Sequence, residues 1–539
     1  MASDIVADSA SSKSQKANLA WAKSNLLSLD GGGIRGYWSL LALQKLMGYI
    51  AKEEGDIPAE DGVEVINSFH PLELPDDVSQ IPPDATEELT KIKRAKDADE
   101  RRRAMDKTRR FLPCHYFDFI CGSSTGGLIA VMLGRFRMAV PDCIHEYKSL
   151  GEEVFGRPRV FFTLRFGLGD RTKYKAARLE NVIKNVIARR NEQLAEHGPS
   201  IRFPSGRGMC KTFVTTLRTH PDGDFETLYF IRSYDHEERS DPSQSVVPSR
   251  RSTALTSRSN TGMTGKGRSE KITKVEKSDT NHGPASDFEI WEVARAATAA
   301  KFYFDPLKIH IHRSRDYILF EDGGFSVANN PTYFGTQELQ DLYGNDSLGV
   351  IVSVGTARKD ESKKKKPFYM AIPGAAKKFA SKATDPEGAH NLMRRKASEP
   401  ASDFSYHRFN DPGGRLEMEL DEWEPRKTGS NRRSGSTTLE KIERAFDGWA
   451  ATEEVVDELK NCAARLVECR RSRLQDEDKW ERFATGARFT CRARGRCDAT
   501  DFLSRTLFHE HLRQEHVEWP NGKVEQEKCK KTWRYQGAS

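Results

Sequence analysis

Twice in this sequence a short apolar run ends in a glycine-rich turn that leads into a helical pattern. Residues 26–29 precede the turn 30–36, and residues 116–120 precede the turn 122–126. Short apolar runs bounded by glycine are typical of buried strands, and the apolar spacing after each turn has the period of a helix. Strands that alternate with helices favour an α/β fold with a mostly parallel central sheet.

Composition divides the chain into a globular region and solvated segments. Of the 539 residues, 37% are hydrophobic and 31% are charged, a balance that suits a globular domain interrupted by polar stretches. We predict a flexible tail at 1–22, a catalytic domain over 23–356 with insertions near 76–110 and 233–287, a disordered basic linker over 357–405, a helical extension over 406–477 and a small Cys/His-bearing module over 478–539.

Charge and hydropathy limit the cellular setting. The formal net charge of +7 permits attraction to anionic lipid or nucleic acid without requiring either. We find no signal-peptide pattern and no window near the roughly 18 consecutive apolar residues of a membrane span. We therefore expect a cytoplasmic protein that is at most peripheral on membranes.

The first glycine turn, Asp-Gly-Gly-Gly-Ile-Arg-Gly at 30–36, fits two kinds of chemistry. Gly31, Gly33 and Gly36 match the G-x-G-x-x-G pattern of dinucleotide-binding folds, with Glu53 near the distance of a ribose contact. Successive glycine amides at a helix N-terminus also suit the oxyanion of an acyl-transfer intermediate. By itself the turn is equally consistent with a strand-to-helix connection that binds no ligand.

The second turn, Gly-Ser-Ser-Thr-Gly at 122–126, matches the G-x-S-x-G nucleophile elbow. A sharp strand-to-helix turn needs glycine flanks, and it raises the central serine above the edge of the sheet. Ser124 is therefore the predicted nucleophile, whereas Ser123 lies in the wrong register. A serine hydroxyl needs a base to remove its proton.

Two kinds of base are available in the sequence. His310 and His312 alternate along a strand-like run, but neither follows a glycine-marked loop. Asp322 follows an apolar run and precedes Gly323 and Gly324, so its carboxylate is predicted just beyond a strand end. Alone, this Asp-Gly pattern also describes an ordinary solvated turn.

Taken together, the blocks 30–36, 122–126 and 322–324 resemble, in the same order, the three signature blocks of the patatin-like phospholipase family. An alanine-rich stretch at 295–300 and Asn-Asn-Pro at 329–331 fit the same resemblance. It covers roughly residues 25–356 and is closest to the fungal-type, calcium-independent branch. The resemblance implies a three-layer patatin-like fold.

The resemblance also implies a catalytic mechanism without histidine. Ser124 would attack an acyl ester carbonyl, and Asp322 would accept its proton directly, with no catalytic cofactor. The amides of Gly31, Gly32 and Gly33 would form the oxyanion hole, and which of them donate stays open. Arg35 would either anchor the glycine loop or contact an anionic head group.

The C-terminal module carries cysteines and histidines in the pattern C-x5-C-x13-H-x4-H, formed by Cys491, Cys497, His511 and His516. Two histidines at this spacing share one side of a helix, which suits a structural Zn²⁺ site. The first cysteine gap is longer than usual, so an unliganded helical hairpin remains the alternative. A single finger reads about three base pairs, so we expect a protein partner and no specific nucleic-acid binding.

Three functions remain to be compared. The three blocks favour a lipid acyl hydrolase of phospholipase A type that acts on lipid at a membrane surface. The alternative is a regulatory or binding protein that acts through the zinc-finger-like tail and the basic linkers. A dinucleotide oxidoreductase leaves the Ser124 elbow unexplained.

Overall fold

A computed structural model describes residues 15–56, 108–157, 172–194, 201–206, 208–219, 226–236, 281–301, 303–310, 317–357, 386–424, 436–487, 489, 491 and 502–515. Most of the predicted N-terminal tail, of the predicted basic linker and of both predicted insertions lies outside these residues. Residues 15–22 are helical where we predicted a flexible tail, and residues 386–397 form a helix where we predicted a disordered linker. Each helix buries an apolar side chain, Ala17 in the first and Met393 in the second. The insertion boundaries 108–110, 233–236 and 281–287 are described.

Eight strands form one sheet in the order β5-β6-β3-β2-β1-β7-β8, with β4 paired to β3. Four of the pairings are parallel, namely those of β1 with β2 and β7, of β2 with β3, and of β7 with β8. The strands are β1 (Ser24–Leu29), β2 (Phe119–Ser123), β3 (Lys211–Thr219), β4 (Glu226–Arg232), β5 (Leu307–His310), β6 (Tyr317–Asp322), β7 (Leu348–Val354) and β8 (Ser405–Phe409).

Helices follow most strands, as the alternating sequence pattern predicts. The predicted α/β fold with a mostly parallel sheet is confirmed. The helices are α1 (Gly36–Asp56), α2 (Pro113–Tyr116), α3 (Thr125–Ala130), α4 (Val140–Leu150), α5 (Ala176–Leu194), α6 (Ile290–Ala297), α7 (Thr332–Tyr343), α8 (Pro386–Ala397), α9 (Thr438–Ala450), α10 (Glu453–Leu474), α11 (Glu477–Thr485) and α12 (Arg505–Glu515).

Side chains on the two faces of the sheet pack into two separate hydrophobic cores. Leu27 and Ile120 point into the larger core, which also contains the apolar faces of α1, α3, α4, α6, α9 and α10. Leu26 and Phe119 point to the other face, where they pack with Leu339 of α7. Because side chains alternate along a strand, a sheet covered on both faces gives three layers.

The carboxyl ends of β1 and β2 lie at the same edge of the sheet. Leu29 is in register with Gly122, so the two glycine turns leave neighbouring parallel strands side by side. Both strands are buried along their whole length, as their apolar sequences predict. This register brings together two turns that are separated by about 90 residues of sequence.

Strand β3 brings the third sequence block to the same place. Its residues Lys211–Thr215 pair with β2 in parallel, and Thr216–Thr219 pair with β6 in antiparallel fashion. Strand β4 covers the opposite edge of β3 through both stretches, so β2 and β6 share one edge. Ser123 is paired with Thr215 and Asp322 with Thr216, so β2 and β6 run toward each other and meet end to end.

Residues after 400 contribute to the same sheet and core. We predicted a helical extension over 406–477, but residues 405–409 form β8, which pairs in parallel with β7. The helices predicted later in this region are present as α9 and α10. Glu54 of α1 is fully buried and is bound by Arg470 of α10 at 2.5 and 2.7 Å.

Among the described residues, no helix is long and apolar enough to cross a membrane.

Candidate active site

Ser124 occupies a strained turn between β2 and α3. Its backbone has φ 53° and ψ −129°, a conformation that residues with a Cβ rarely adopt. A Cβ on Gly126 would lie 2.5 Å from the carbonyl oxygens of both Leu29 and Asp30, so glycine is required there. The elbow predicted from the sequence therefore has its expected geometry, packed against the end of β1.

The hydroxyl of Ser124 donates to Asp322 Oδ2 at 2.5 Å. The backbone N–H of Gly324 donates to the other carboxylate oxygen of Asp322 at 2.7 Å. These two bonds fix the carboxylate, which is only 1% exposed, while Ser124 stays partly accessible. The side chains of Ser124 and Asp322 are thus brought together as the sequence predicted, with the proton donor facing an acceptor.

Burial raises the pKa of Asp322 to about 7, against the opposing effect of the hydrogen bonds from Ser124 and Gly324. Desolvation disfavours the charged carboxylate, which explains the direction of this change. A base with a pKa near the working pH is effective both in accepting a proton and in returning it. Asp322 therefore has the acid-base property that a catalytic base needs.

The two histidines considered from the sequence do not reach Ser124 within the described residues. His310 is exposed at the end of β5, in register with Tyr317 at the start of β6. Asp322 ends that same strand, so His310 lies at the opposite end of β6 from the serine. His312 lies outside the described residues.

The glycine turn after β1 lies against the elbow. A Cβ on Gly31 would be 2.9 Å from the Ser124 Cβ, so the backbone of this turn directly contacts Ser124. The N–H of Gly31 donates to the Asn329 carbonyl at 3.1 Å. No described residue accepts a hydrogen bond from the N–H groups of Gly32 or Gly33. Of the three amides in the prediction, Gly32 and Gly33 therefore remain available to an oxyanion.

Arg35 lies behind the turn and is buried. Its Nη1 donates to the Met418 carbonyl at 3.5 Å, and the neighbouring Ile34 N–H donates to the Leu420 carbonyl at 2.8 Å. Both contacts join the glycine turn to the segment after β8. Of the two roles considered for Arg35, this position favours the anchoring role.

Sequence reasoning missed Arg408, which holds the first residue of the glycine turn. Its guanidinium binds the Asp30 carboxylate through two bonds of 3.0 and 2.7 Å. The side chains of Arg408 and Asp30 are 5% and 3% exposed, and Glu387 also contacts Arg408 at 3.1 Å. The ion pair raises the pKa of Arg408 above its usual value, chiefly through the charge of Asp30 acting against burial. Arginine occurs throughout the sequence, and no pattern in the residues around Arg408 indicated that it binds Asp30.

We expect Arg408→Leu to lower the free energy of unfolding by about 3–5 kcal/mol, because Asp30 would remain buried without its guanidinium partner. Urea unfolding measures the change. Arg465→Leu is the matched control, because Arg465 is exposed on α10 and should stay within about 0.5 kcal/mol of wild type. Equal midpoints and slopes for the two variants would contradict a structural role for the Arg408–Asp30 pair.

The structure describes two of the four predicted zinc ligands in the C-terminal module, Cys491 and His511. Phe489 and Phe502 form an antiparallel bridge, and α12 packs Phe508 and Leu512 against them. Cys491 is buried in this small cluster, and the His511 ring lies 4.6 Å from that of Phe502. The other two predicted ligands, Cys497 and His516, lie outside the described residues.

A serine in a strained strand-to-helix elbow whose hydroxyl donates to a buried carboxylate, at the edge of an α/β sheet, has the geometry found in serine hydrolase sites. Residues 103–334 match the model of the patatin-like phospholipase family. The match includes the Ser124 elbow and Asp322 but begins after the glycine turn at 30–36. The place of that turn at the site rests on the pairing of β1 with β2.

Curated proteins similar to this chain are phospholipases. Calcium-independent phospholipase A2-gamma of Rattus norvegicus is 24% identical over 300 residues, which is 55% of this chain and 31% of that protein. The Homo sapiens protein of that name is 24% identical over 283 residues, or 52% and 29%. Phospholipase A I of Arabidopsis thaliana is 26% identical over 337 residues, or 58% and 23%. In each case the match spans less than a third of the relative.

Proposed function

We propose that this protein is a lipid acyl hydrolase of phospholipase A type, which cleaves acyl ester bonds of phospholipids or lysophospholipids. The observation that carries the proposal is the 2.5 Å hydrogen bond from the Ser124 hydroxyl to the buried carboxylate of Asp322. The match to the patatin-like family and the phospholipase relatives support the substrate class. The dinucleotide interpretation loses its basis, because the glycine turn packs against the nucleophile.

The reaction would proceed through an acyl-enzyme on a Ser–Asp dyad. Asp322 takes the hydroxyl proton as the Ser124 oxygen bonds to the ester carbonyl carbon. The amides of Gly32 and Gly33 would donate to the oxyanion, where one donor is worth about 3 kcal/mol. Collapse breaks the ester bond, and Asp322 returns its proton to the departing alcohol.

Water completes the cycle by the same route. Asp322 takes a proton from the attacking water, the Ser124 ester is cleaved, and the proton returns to Ser124 as the fatty acid leaves. Every proton transfer in this scheme uses the Asp322 carboxylate, and the amides carry the developing charge. The scheme assigns no catalytic step to a cofactor. We retain the fungal-type, calcium-independent branch as a prediction from the sequence blocks.

The test is fatty-acid release by the purified full chain from phosphatidylcholine and lysophosphatidylcholine vesicles in EDTA. We expect release from at least one lipid, and labelling of the protein by a fluorophosphonate that stops this release. A chain that is folded by circular dichroism but is not labelled and releases no fatty acid would contradict the proposed function.

The cellular setting is part of the proposal. We infer a cytoplasmic protein that meets its lipid substrate at a membrane surface, because phospholipid substrates are held in bilayers. The net charge of +7 supports attraction to anionic membranes. We assign no specific nucleic-acid target, since a single finger would read too few base pairs.

For the C-terminal tail we propose a structural Zn²⁺ site at Cys491, Cys497, His511 and His516, on a module that would take a protein partner. The bridge between Phe489 and Phe502 followed by α12 supports it, because small zinc fingers combine a hairpin with a helix. Zinc analysis of Cys491→Ser beside wild type tests the site: equal zinc contents would reject it. This module is the feature that favours the second candidate function, a regulatory or binding protein.

A further inference from the structure

A second group of metal-ligating side chains lies away from the nucleophile. The chain continues past β4 to His236 and is described again from residue 281. His236 and Gly283 exchange two backbone hydrogen bonds of 2.7 Å, which place His282 beside His236. The two imidazole rings stack with centroids 4.2 Å apart and planes 19° from parallel.

His236 is buried yet has no hydrogen bond to either ring nitrogen. Its side chain is 1% exposed, and both Nδ1 and Nε2 lack a partner. Stacking against His282 occupies the face of the ring and leaves these in-plane nitrogens unsatisfied. A buried polar atom without a partner costs about 1–3 kcal/mol, so this arrangement calls for a ligand.

Asp341 of α7 completes the group. Potential ligand atoms of His236, His282 and Asp341 all lie within 4.8 Å of one another, the one such group of three among the described residues. The side chains of His282 and Asp341 are exposed, so they can move the short distance to a common centre. Ligand atoms about 2.0–2.2 Å from a metal stand closer to each other than this, and a metal lies in the plane of each imidazole that binds it. Binding therefore requires the exposed His282 ring to turn out of the stack as the three ligand atoms draw together.

A second carboxylate is fixed beside the group. Glu338, one turn before Asp341, lies 3.7 Å from His236 Nε2. That carboxylate is held by two 2.7 Å bonds from Arg232 and by the Tyr234 hydroxyl at 2.8 Å. Glu338 is thus fixed where it can orient a ligating histidine.

We propose that His236, His282 and Asp341 bind a divalent transition metal, with Zn²⁺ the fitting ion for two imidazoles and one carboxylate. The site would be structural. Strand β4 runs antiparallel to β3, so His236 lies beyond the amino end of β3, whereas Ser124 lies beyond the carboxyl end of β2. Residues 236 and 282 flank the 237–280 segment. The metal would join both of them to Asp341 of α7.

The test is Zn²⁺ titration of the metal-free full chain against a chromophoric chelator. His282→Gln with Asp341→Asn removes two exposed ligands and keeps buried His236. The matched control is His310→Gln with Asp346→Asn, which changes an exposed histidine and an exposed aspartate outside the group. We expect the ligand variant to lose one bound Zn²⁺ per chain, with affinity reduced by at least about 100-fold, while the control keeps it.

Cys491→Ser is added to both proteins to remove zinc binding by the C-terminal tail. The remaining Zn²⁺ can then be assigned to the site at His236, whether or not the tail binds zinc. In that background the control should still bind one Zn²⁺, and Zn²⁺ should raise its unfolding midpoint but not that of the ligand variant. Equal Zn²⁺ stoichiometry and affinity in ligand variant and control would overturn the proposal. It would also be overturned if neither protein binds Zn²⁺ more tightly than the micromolar range of adventitious sites.

Discussion

Replacing Ser124 with alanine is expected to abolish fluorophosphonate labelling and to lower kcat for fatty-acid release by at least about 10⁴-fold. The reason is that the proposed acyl-enzyme forms on the Ser124 oxygen, which is the atom bonded to Asp322. Binding of lipid should persist, so the loss should fall on kcat and leave KM nearly unchanged. Labelling by mass shift and release of fatty acid from vesicles measure the two effects.

Ser123→Ala is the matched control for this prediction. Ser123 is the last residue of β2, is fully buried, and has an Oγ without a hydrogen-bond partner. Its removal should therefore leave labelling and turnover close to wild type. Labelling retained in Ser124→Ala, or lost equally in both variants, would show that the nucleophile has been assigned wrongly.

The local parts of this site could be predicted from sequence. The Ser124 elbow and the turn at 30–36 each follow a buried strand and open a helix, and these patterns are contained in a few consecutive residues. Asp322 was a common Asp-Gly turn by itself, and only its order among the three blocks distinguished it. Local chemistry therefore predicted the reacting groups better than it predicted their surroundings.

The surroundings depend on contacts between distant parts of the chain. Arg408 and Asp30 are 378 residues apart, so no local pattern could join them. The helical extension was predicted to begin at residue 406, but the alternating buried side chains of residues 406–409 belong to a strand that pairs with β7. The meeting of β2 with β6 along one edge of β3 follows from tertiary pairing. The Gly31 amide is likewise occupied by a distant residue, since its N–H donates to the carbonyl of Asn329.

Asp322→Asn is expected to lower kcat by about 10⁴-fold, because an amide cannot take the proton of Ser124. In wild type, the carboxylate is the active form, and burial raises its pKa to about 7. The value of kcat/KM should therefore rise with pH up to about 7 and level off above it. The variant's residual rate should lack this ionisation. Lipid turnover retained in Asp322→Asn while Ser124→Ala is inactive would keep the nucleophile and reject the dyad.

Asp322→Asn should also become more stable relative to wild type as the pH rises. A folded-state pKa near 7, against an ordinary value of 3.8, means that the folded chain holds a proton that the unfolded chain releases between about pH 4 and 7. Wild type should lose about 4 kcal/mol of the free energy of unfolding over that range through this group. Asparagine carries no such proton. The stability difference between Asp322→Asn and wild type should therefore grow from pH 4 to pH 8, as measured by urea unfolding. Stability profiles of the two proteins that run parallel from pH 4 to pH 8 would mean that folding does not raise the pKa of Asp322.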